Sequence, residues 1–262
     1  IVTWNVRSMY IGKLKIVTNE LMEIIIKVLG VSKTRWNEQG LYTINEGFTV
    51  GYIGRPDGKR DNGIGLITKK ETAKAMLGYN PVNDRILTVC FQAHPCNLTM
   101  MQVYAPKTSV KNDMMAFYEA IQNVFDDIPK SDSIRIHGLG VMNKCGERVE
   151  EFCETNCLII ANTVFTQHPQ KLYTWILLDG KMWNQTDYIM VNKRWRTTIK
   201  MAKTLPGADC SIDHQLLIVK VKVKLRNIRR EHVPVCFNLE NIPKQKDDDV
   251  SVINMKDEEE PP

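Results

Sequence analysis

The first 32 residues, IVTWNVRSMYIGKLKIVTNELMEIIIKVLGVS, decide the fold class of this sequence. Residues 1–6 are short, apolar and rich in β-branched side chains, which is typical of a buried strand. Residues 13–26 then repeat apolar side chains at helical spacing, and residues 28–32 are again strand-like. A strand, a helix and a second strand at this spacing predict an α/β layer architecture.

The same alternation continues outward from this segment to about residue 225. Further strands are predicted at residues 48–52, 63–68, 86–91, 98–104, 158–162, 173–175, 186–191 and 216–223, and further helices at 112–125 and 146–155. From residue 226 the sequence turns polar and acidic. We therefore expect one domain over residues 1–225, followed by a mostly disordered acidic tail over residues 226–262.

Charge is unevenly distributed along the 262 residues, whose net charge is +5. Residues 231–262 contain 3 Lys and Arg against 9 Asp and Glu, a net charge of −6, so residues 1–230 carry +11. A basic globular part indicates a polyanionic partner, with DNA expected first and RNA as a second possibility. A role in solubility alone is the alternative explanation.

The number and spacing of the cysteines indicate the cellular compartment of the protein. Seven cysteines make an odd number without a regular framework, which favours a reducing compartment. No apolar run approaches the ~20 residues of a membrane span and no signal peptide opens the chain, so we expect an intracellular protein, nuclear or cytoplasmic. A zinc site formed by His137, Cys145, Cys153 and Cys157 is the weaker alternative to free thiols, because the usual knuckle spacing is missing.

Polar residues lie at the ends of several of the predicted strands, where the active sites of α/β proteins usually lie. Asn5 lies near the end of the first strand and Tyr104 ends another, while Asp187 and the Asp213–His214 pair lie at or just before the start of later ones. Taken singly, each residue has a structural explanation, such as a turn cap or a core hydrogen bond.

Their order and spacing together resemble the endonuclease/exonuclease/phosphatase family, and within it the abasic-site-endonuclease-like domain of RTE/BovB-type LINE retrotransposons. The matching stretches are TWNVR at 3–7, NDRI at 83–86, QVYAP at 102–106, FY at 117–118, NTVF at 162–165, LYTW at 172–175, NQTDYI at 184–189 and PGADC at 206–210 leading to Asp213–His214. The resemblance implies a four-layer α/β sandwich, in which two mixed β-sheets pack face to face between helices.

The resemblance also implies roles for the residues that match the family's motifs. Asn5 would help to hold the phosphate and the groups on the metal side of the site. Tyr104 would donate a hydrogen bond to the scissile phosphate, and Asp187 would orient His214. Asp213 would face Mg²⁺ or Mn²⁺. The expected phosphate contacts of nucleic acid are Arg7, Lys13, Lys107, Lys171, Arg194 and Arg196, on a protein expected to be a monomer.

Two departures from the family's pattern put hydrolysis in doubt. Lys33 stands where the family has its metal-binding glutamate, and a protonated ammonium is no ligand for a hard cation. Glu38 lies five positions further on, which makes it a weak substitute. The Gly-Asp-Phe/Trp-Asn motif, which carries the family's water activator, is missing, so part of one strand–loop region is deleted where residues 133–136 run into His137.

These departures lead us to expect that Mg²⁺ or Mn²⁺ is not held tightly and that hydrolysis is near background. Four functions remain open: a defective nuclease, a nucleic-acid-binding protein without cleavage, an unselected retroelement relic, and an active phosphoesterase. If the fold is kept, Lys33 should enter the old metal pocket and pair with Asp213, directly or through a shared partner. The alternative is that Lys33 turns out to solvent.

Overall fold

A computed structural model describes residues 1–10, 12–106, 111–137, 144–177, 183–208 and 212–228. The helices are α1 (Lys13–Glu23), α2 (Lys70–Ala73), α3 (Lys111–Asp126), α4 (Lys144–Thr155) and α5 (Ala161–Val164), with 3₁₀ turns at Pro169–Lys171 and Lys193–Thr198. The strands are β1 (Val2–Asn5), β2 (Val28–Ser32), β3 (Gln39–Ile44), β4 (Phe48–Ile53), β5 (Ile64–Lys69), β6 (Met76–Asn83), β7 (Ile86–Phe91), β8 (Ala93–His94), β9 (Leu98–Val103), β10 (Ser133–His137), β11 (Leu158–Ile160), β12 (Trp175–Ile176), β13 (Trp183–Asn184), β14 (Ile189–Asn192), β15 (Ile199–Leu205), β16 (Leu216–Val221) and β17 (Lys224–Leu225).

The strands form two large mixed sheets. The first has seven strands in the order β15-β16-β1-β2-β5-β4-β3, and the second has six in the order β11-β14-β10-β9-β7-β6. Each sheet contains one parallel pair, β1 with β2 and β9 with β10, beside antiparallel neighbours. Two short antiparallel pairs, β12 with β13 and β8 with β17, lie outside them.

The two sheets pack face to face and carry helices on their outer faces. Between the sheets, Val28 and Leu66 of the first share a core with Val89 and Met100 of the second. On the outer face of the first sheet, Val17 and Leu21 of α1 pack with Trp4 and Leu29. On the outer face of the second, Phe117 and Ile121 of α3 and Phe152 of α4 cover Met101 and Val103. The α/β sandwich expected from the sequence is therefore confirmed.

Sequence patterning placed most elements within a few residues of their true bounds, but it missed three long strands. These are β3, β6 and β15, whose side chains are mostly only partly buried or exposed. Strands of this kind lack the continuous apolar run that a buried strand shows. Residues 138–143, which follow the predicted deletion at the junction of Ile136 and His137, and the tail from residue 229 lie outside the described residues. None of the helices that the structure describes combines the length and apolar character needed to cross a lipid bilayer.

The segment that leaves β2, residues 33–37, is held tightly by two glycines. Thr34 N donates to Gly63 O, at 3.0 Å, and a side chain at Gly63 would lie 2.5 Å from Thr34 Oγ1. A side chain at Gly54 would overlap the Trp36 carbonyl oxygen and lie 2.5 Å from its carbon. Only glycine permits this close approach of backbones. The residue at the start of the segment, Lys33, is thereby fixed in position.

Candidate active-site cleft

The predicted site residues meet at one end of the two sheets. Asn5 is the last residue of β1, and Lys33 directly follows β2, which pairs in parallel with β1. Tyr104 directly follows β9 of the second sheet. The fully buried Gln102 of β9 donates from Nε2 to Ser32 Oγ of β2, at 3.0 Å, and so links the two sheets beside the site. Strand ends from both sheets therefore border one cleft.

A chain of hydrogen bonds runs from Asn5 through His214 to Asp187. Asn5 Oδ1 accepts from Arg7 N, at 3.3 Å, which turns the amide group Nδ2 toward His214 Nε2, at 3.1 Å. His214 Nδ1 lies 3.1 Å from Asp187 Oδ2, and both side chains are about nine-tenths buried. With Nε2 accepting from the amide, the imidazole carries its proton on Nδ1 and donates it to Asp187. The expected role of Asp187 in orienting His214 has the required geometry.

Asp213 contacts two side chains, a neutral indole and a charged guanidinium. The indole Nε1 of Trp175 donates to Asp213 Oδ2, at 2.8 Å. Asp213 Oδ1 lies 3.2 Å from Arg7 Nε, although this buried oxygen accepts no hydrogen bond of good geometry from the described residues. The carboxylate is therefore neutralised by an arginine and keeps one oxygen without a directed donor.

Lys33 lies in the cleft but pairs differently from the expectation. The partner of Asp213 is Arg7, so the predicted direct Lys33–Asp213 ion pair is corrected. The Lys33 side chain is partly buried rather than turned out to solvent, and its ammonium lies 5.6 Å from the centre of the Tyr104 ring. Burial and then the charge of Arg7 lower the pKa of Lys33, while Asp213 acts to raise it. Lys33 is thus a second cation in the cleft, and unlike Arg7 it has no direct ion pair with Asp213.

Backbone conformation supports a constrained cleft. Arg7 and Lys33 both have left-handed backbone angles, with φ of 57° and 58°. Residues other than glycine rarely adopt this region, and such residues cluster at binding and active sites. The structure therefore directs both cations into the cleft at some conformational cost.

Tyr104 is positioned by residues that sequence reasoning did not single out. The guanidinium of Arg85 lies 5.3 Å from the centre of the Tyr104 ring and donates to the Tyr104 carbonyl oxygen, at 3.2 Å. Arg85 also donates to Asn62 Oδ1, at 3.1 Å, and Asn62 in turn donates to Asp84. Arg85 and Trp175 both lie in stretches that carry the family resemblance, and this was the signal available in the sequence.

The donor set in the cleft does not fit a divalent cation. Among the described residues, no group of three or more His, Cys, Asp or Glu is placed to hold a metal ion. Asp213 offers one oxygen, but Arg7 and Lys33 bring positive charge to the same place. Magnesium binds proteins through one or two carboxylates and completes its shell with water, and the two cations beside Asp213 would repel it. Glu38 does not compensate, because it is exposed and its charge acts on Tyr52 instead.

The remaining predicted phosphate contacts do not all lie at the cleft. Lys13 donates to Val6 O, at 3.2 Å, close to the end of β1. Lys171 is exposed in a 3₁₀ turn, and Lys107 lies outside the described residues. Arg194 and Arg196 follow β14, whose antiparallel pairing with β10 carries them to the other end of the second sheet. Of the four zinc candidates, Cys153 is buried and Cys157 is exposed, and both are free thiols.

The two-sheet sandwich and the residues at its edge define a protein of the endonuclease/exonuclease/phosphatase fold. Among solved structures, the chain is similar to the catalytic domain of APE2 from Xenopus laevis, with a TM-score of 0.68 and 14% identity over 87% of this chain and 93% of that one. It is also similar to the 3′ phosphatase NExo from Neisseria bound to a product DNA hairpin (TM-score 0.65, 14% identity, 84% of this chain and 98% of that one). A third is the endonuclease domain of TRAS1, a telomere-specific non-LTR retrotransposon (TM-score 0.61, 10% identity, 84% of this chain and 96% of that one).

The chain is similar to craniofacial development protein 2 from two species. It is 38% identical to the Bos taurus protein over 280 aligned residues, which cover 99% of this chain and 47% of that protein. It is 39% identical to the Tragulus javanicus protein over 252 residues, covering 88% of this chain and 44% of that protein. The chain thus spans about half the length of the curated relatives it matches. No protein-family model matches the chain.

The lowered pKa of Lys33 gives a prediction for stability. A lysine with a depressed pKa in the folded state destabilises the fold while it is charged, and this cost is lost as pH rises from that lowered pKa to the ordinary value of 10.5. We expect Lys33→Met to raise the melting temperature at pH 7 by a few degrees, and by less at pH 10. Thermal unfolding at both pH values measures this, with the exposed Lys27→Met as control. A lower melting temperature for Lys33→Met at pH 7 would contradict the interpretation.

Proposed function

We propose that this chain is a LINE-derived relative of DNA-nicking nucleases that has lost metal-dependent hydrolysis and retains binding of nucleic acid, acting as a monomer. One observation carries the proposal: the cleft holds Arg7 and Lys33 beside Asp213, where the family has a metal, and the other nearby carboxylate, Asp187, is bonded to His214. Two fixed cations can attract a phosphate, but they cannot generate a nucleophile as a bound metal does.

The missing motif supports the loss of hydrolysis. The alignment with the Bos taurus relative spans 280 positions, whereas this chain has 262 residues, so at least 18 positions have no counterpart here. The sequence contains no Gly-Asp-Phe/Trp-Asn motif. A general base is typically worth ~10²–10⁴-fold in rate. Its loss together with that of the metal would leave almost no activity.

Charge and fold support retained binding. Residues 1–230 carry a net charge of +11, and binding to nucleic acid is driven largely by contacts of basic residues with phosphates. A neighbour of the same fold is bound to a DNA product, which makes DNA the first partner to test. The likeness to the TRAS1 endonuclease domain supports descent from a retrotransposon of the LINE type.

Two measurements on the whole chain test the proposal. With Mg²⁺ or Mn²⁺, nicking of supercoiled plasmid should not exceed that of a His214→Ala variant, because hydrolysis by His214 needs the lost groups. Anisotropy of a labelled duplex should show binding in EDTA whose affinity falls steeply as salt rises. The intact Asn5–His214–Asp187 chain favours one competing function, a weak phosphoesterase. Metal-dependent nicking that His214→Ala abolishes would establish that function and overturn ours.

A further inference from the structure

A pocket opens at the end of the second sheet opposite the cleft. Its lining includes Ser133 at the start of β10, which pairs with Leu98 at the start of β9. Tyr104, in the cleft, follows the other end of β9, six residues further along. At about 3.3 Å per residue, the two places are separated by about 20 Å. The pocket is therefore distinct from the candidate active site.

Two residues of the lining, Ser133 and Trp195, carry buried donors without partners among the described residues. Ser133 is 5% exposed, and its hydroxyl makes no hydrogen bond within the part of the chain that the structure describes. The indole Nε1 of Trp195 is likewise buried and unpartnered among those residues. An unsatisfied buried polar group destabilises the folded protein. Because the indole nitrogen can only donate, its missing partner is an acceptor.

The rest of the polar lining also favours an acceptor, and specifically an anion. His94 Nδ1 faces the guanidinium of Arg226, at 3.2 Å, and must accept from it, so the His94 proton lies on Nε2. Lys222 also belongs to the lining and carries a positive charge, and its backbone N donates to Thr198 O. The lining residues include hydroxyl, indole, imidazole and ammonium groups but no carboxylate.

The surface around the pocket is basic as well. Trp195 belongs to the 3₁₀ turn that also contains Arg194 and Arg196, and the guanidinium of Arg194 lies 5.6 Å from the centre of a Trp195 ring. The sequence singled out these two arginines as phosphate contacts, yet they lie away from the cleft. The basic turn thus places the positive charges of Arg194 and Arg196 next to Trp195, their sequence neighbour in the pocket lining.

We propose that this pocket, formed by His94, Ser133, Trp195 and Lys222, is an oxyanion site that takes a backbone phosphate of a nucleic acid. Its cavity volume of about 40 Å³ suits a group of phosphate size. The tetrahedral phosphate presents oxygens in several directions, which suits donors that converge from different elements. The anion site follows from the donors themselves, whereas the choice of nucleic acid as its source rests on the proposed function.

Nuclear magnetic resonance of the whole chain tests the anion site directly. The chain has five tryptophans, so its indole N–H groups give five signals, and Trp195→Phe identifies the one from Trp195. Titration with inorganic phosphate should shift that signal in a saturable manner, relative to sodium chloride at equal ionic strength. Ser133→Ala should weaken the apparent affinity severalfold. A Trp195 signal that responds equally to chloride and phosphate would show that the donors bind only water and would overturn the proposal.

A second arm tests whether the phosphate comes from nucleic acid. Lys222→Gln should reduce the slope of log affinity against log salt for a 20-base-pair duplex by about one, as expected for one lost phosphate contact. Lys27→Gln, which removes an exposed lysine elsewhere, should leave the slope unchanged. Saturable phosphate binding with an unaltered slope in Lys222→Gln would reject nucleic acid as the source. Neither result depends on whether the chain nicks DNA, so the two proposals fail separately.

Discussion

Gly54→Ala is expected to lower the free energy of unfolding by about 3 kcal/mol, which corresponds to a fall in melting temperature of about 10 °C for a domain of this size. The added methyl group would overlap the backbone carbonyl of Trp36, and Asn37 Cα lies only 3.1 Å away. The neighbouring atoms belong to the backbone of the segment after β2, so they cannot move aside as the end of a flexible side chain can. Thermal and denaturant unfolding would measure the loss.

Gly78→Ala is the matched control for this experiment. Gly78 lies in β6, is exposed, and has open space around the position of an added methyl group. Its replacement should change stability by less than about 0.5 kcal/mol. If Gly54→Ala were as stable as Gly78→Ala, the segment after β2 would not be clamped as described, and the fixed placement of Lys33 would lose its structural basis.

Lys33→Glu is expected to give the cleft a manganese site that the natural chain does not offer. The change replaces a positive charge by a carboxylate close to Asp213, which keeps a buried oxygen without a directed donor. Two carboxylates meet the preference of these ions for oxygen ligands. We expect at least a tenfold gain in Mn²⁺ affinity, equivalent to about 1.4 kcal/mol. Since the Gly-Asp-Phe/Trp-Asn motif stays missing, nicking should not return.

The indole proton of Trp175 reports this binding, because Trp175 Nε1 donates to Asp213 at 2.8 Å. Low concentrations of Mn²⁺ should broaden its resonance in Lys33→Glu and leave it sharp in the natural chain. Lys33→Gln separates the effect of a new ligand from that of removing positive charge. Equal broadening in the natural chain would mean that Arg7 and Lys33 do not exclude the cation, and the proposed loss of hydrolysis would then lack its main support.

Much of the fold could be predicted because its central strands are buried on both sides and its helices are amphipathic. Apolar runs located β2, β7 and β9 to within a residue. The peripheral strands β6 and β15 escaped because exposed strand residues follow no apolar pattern. Which strands pair across the sheets depends on contacts between distant segments, and periodicity carries no information about these.

The site was predicted less completely than the fold. Family motifs led to Asn5, Asp187 and His214, which the structure joins by hydrogen bonds. They did not show that Arg7, rather than Lys33, pairs with Asp213. That choice depends on the placement of Arg7 and Lys33 in three dimensions, and the positive φ of both residues could not be read from residue types that are not glycine. The spacing of the motifs therefore identified the residues of the site, but it did not predict which cation pairs with Asp213.

The pairing of β1 with β16 sets a condition on how this protein folds during synthesis. Val2 lies opposite Ile218, so β16 completes one side of β1 only after more than 200 further residues have been added. At ~5–20 residues per second, a ribosome needs roughly 10–40 s to supply β16. During that interval one edge of β1 stays open to other chains. The need for chaperones during synthesis should therefore depend on how fast the ribosome translates the residues between β1 and β16.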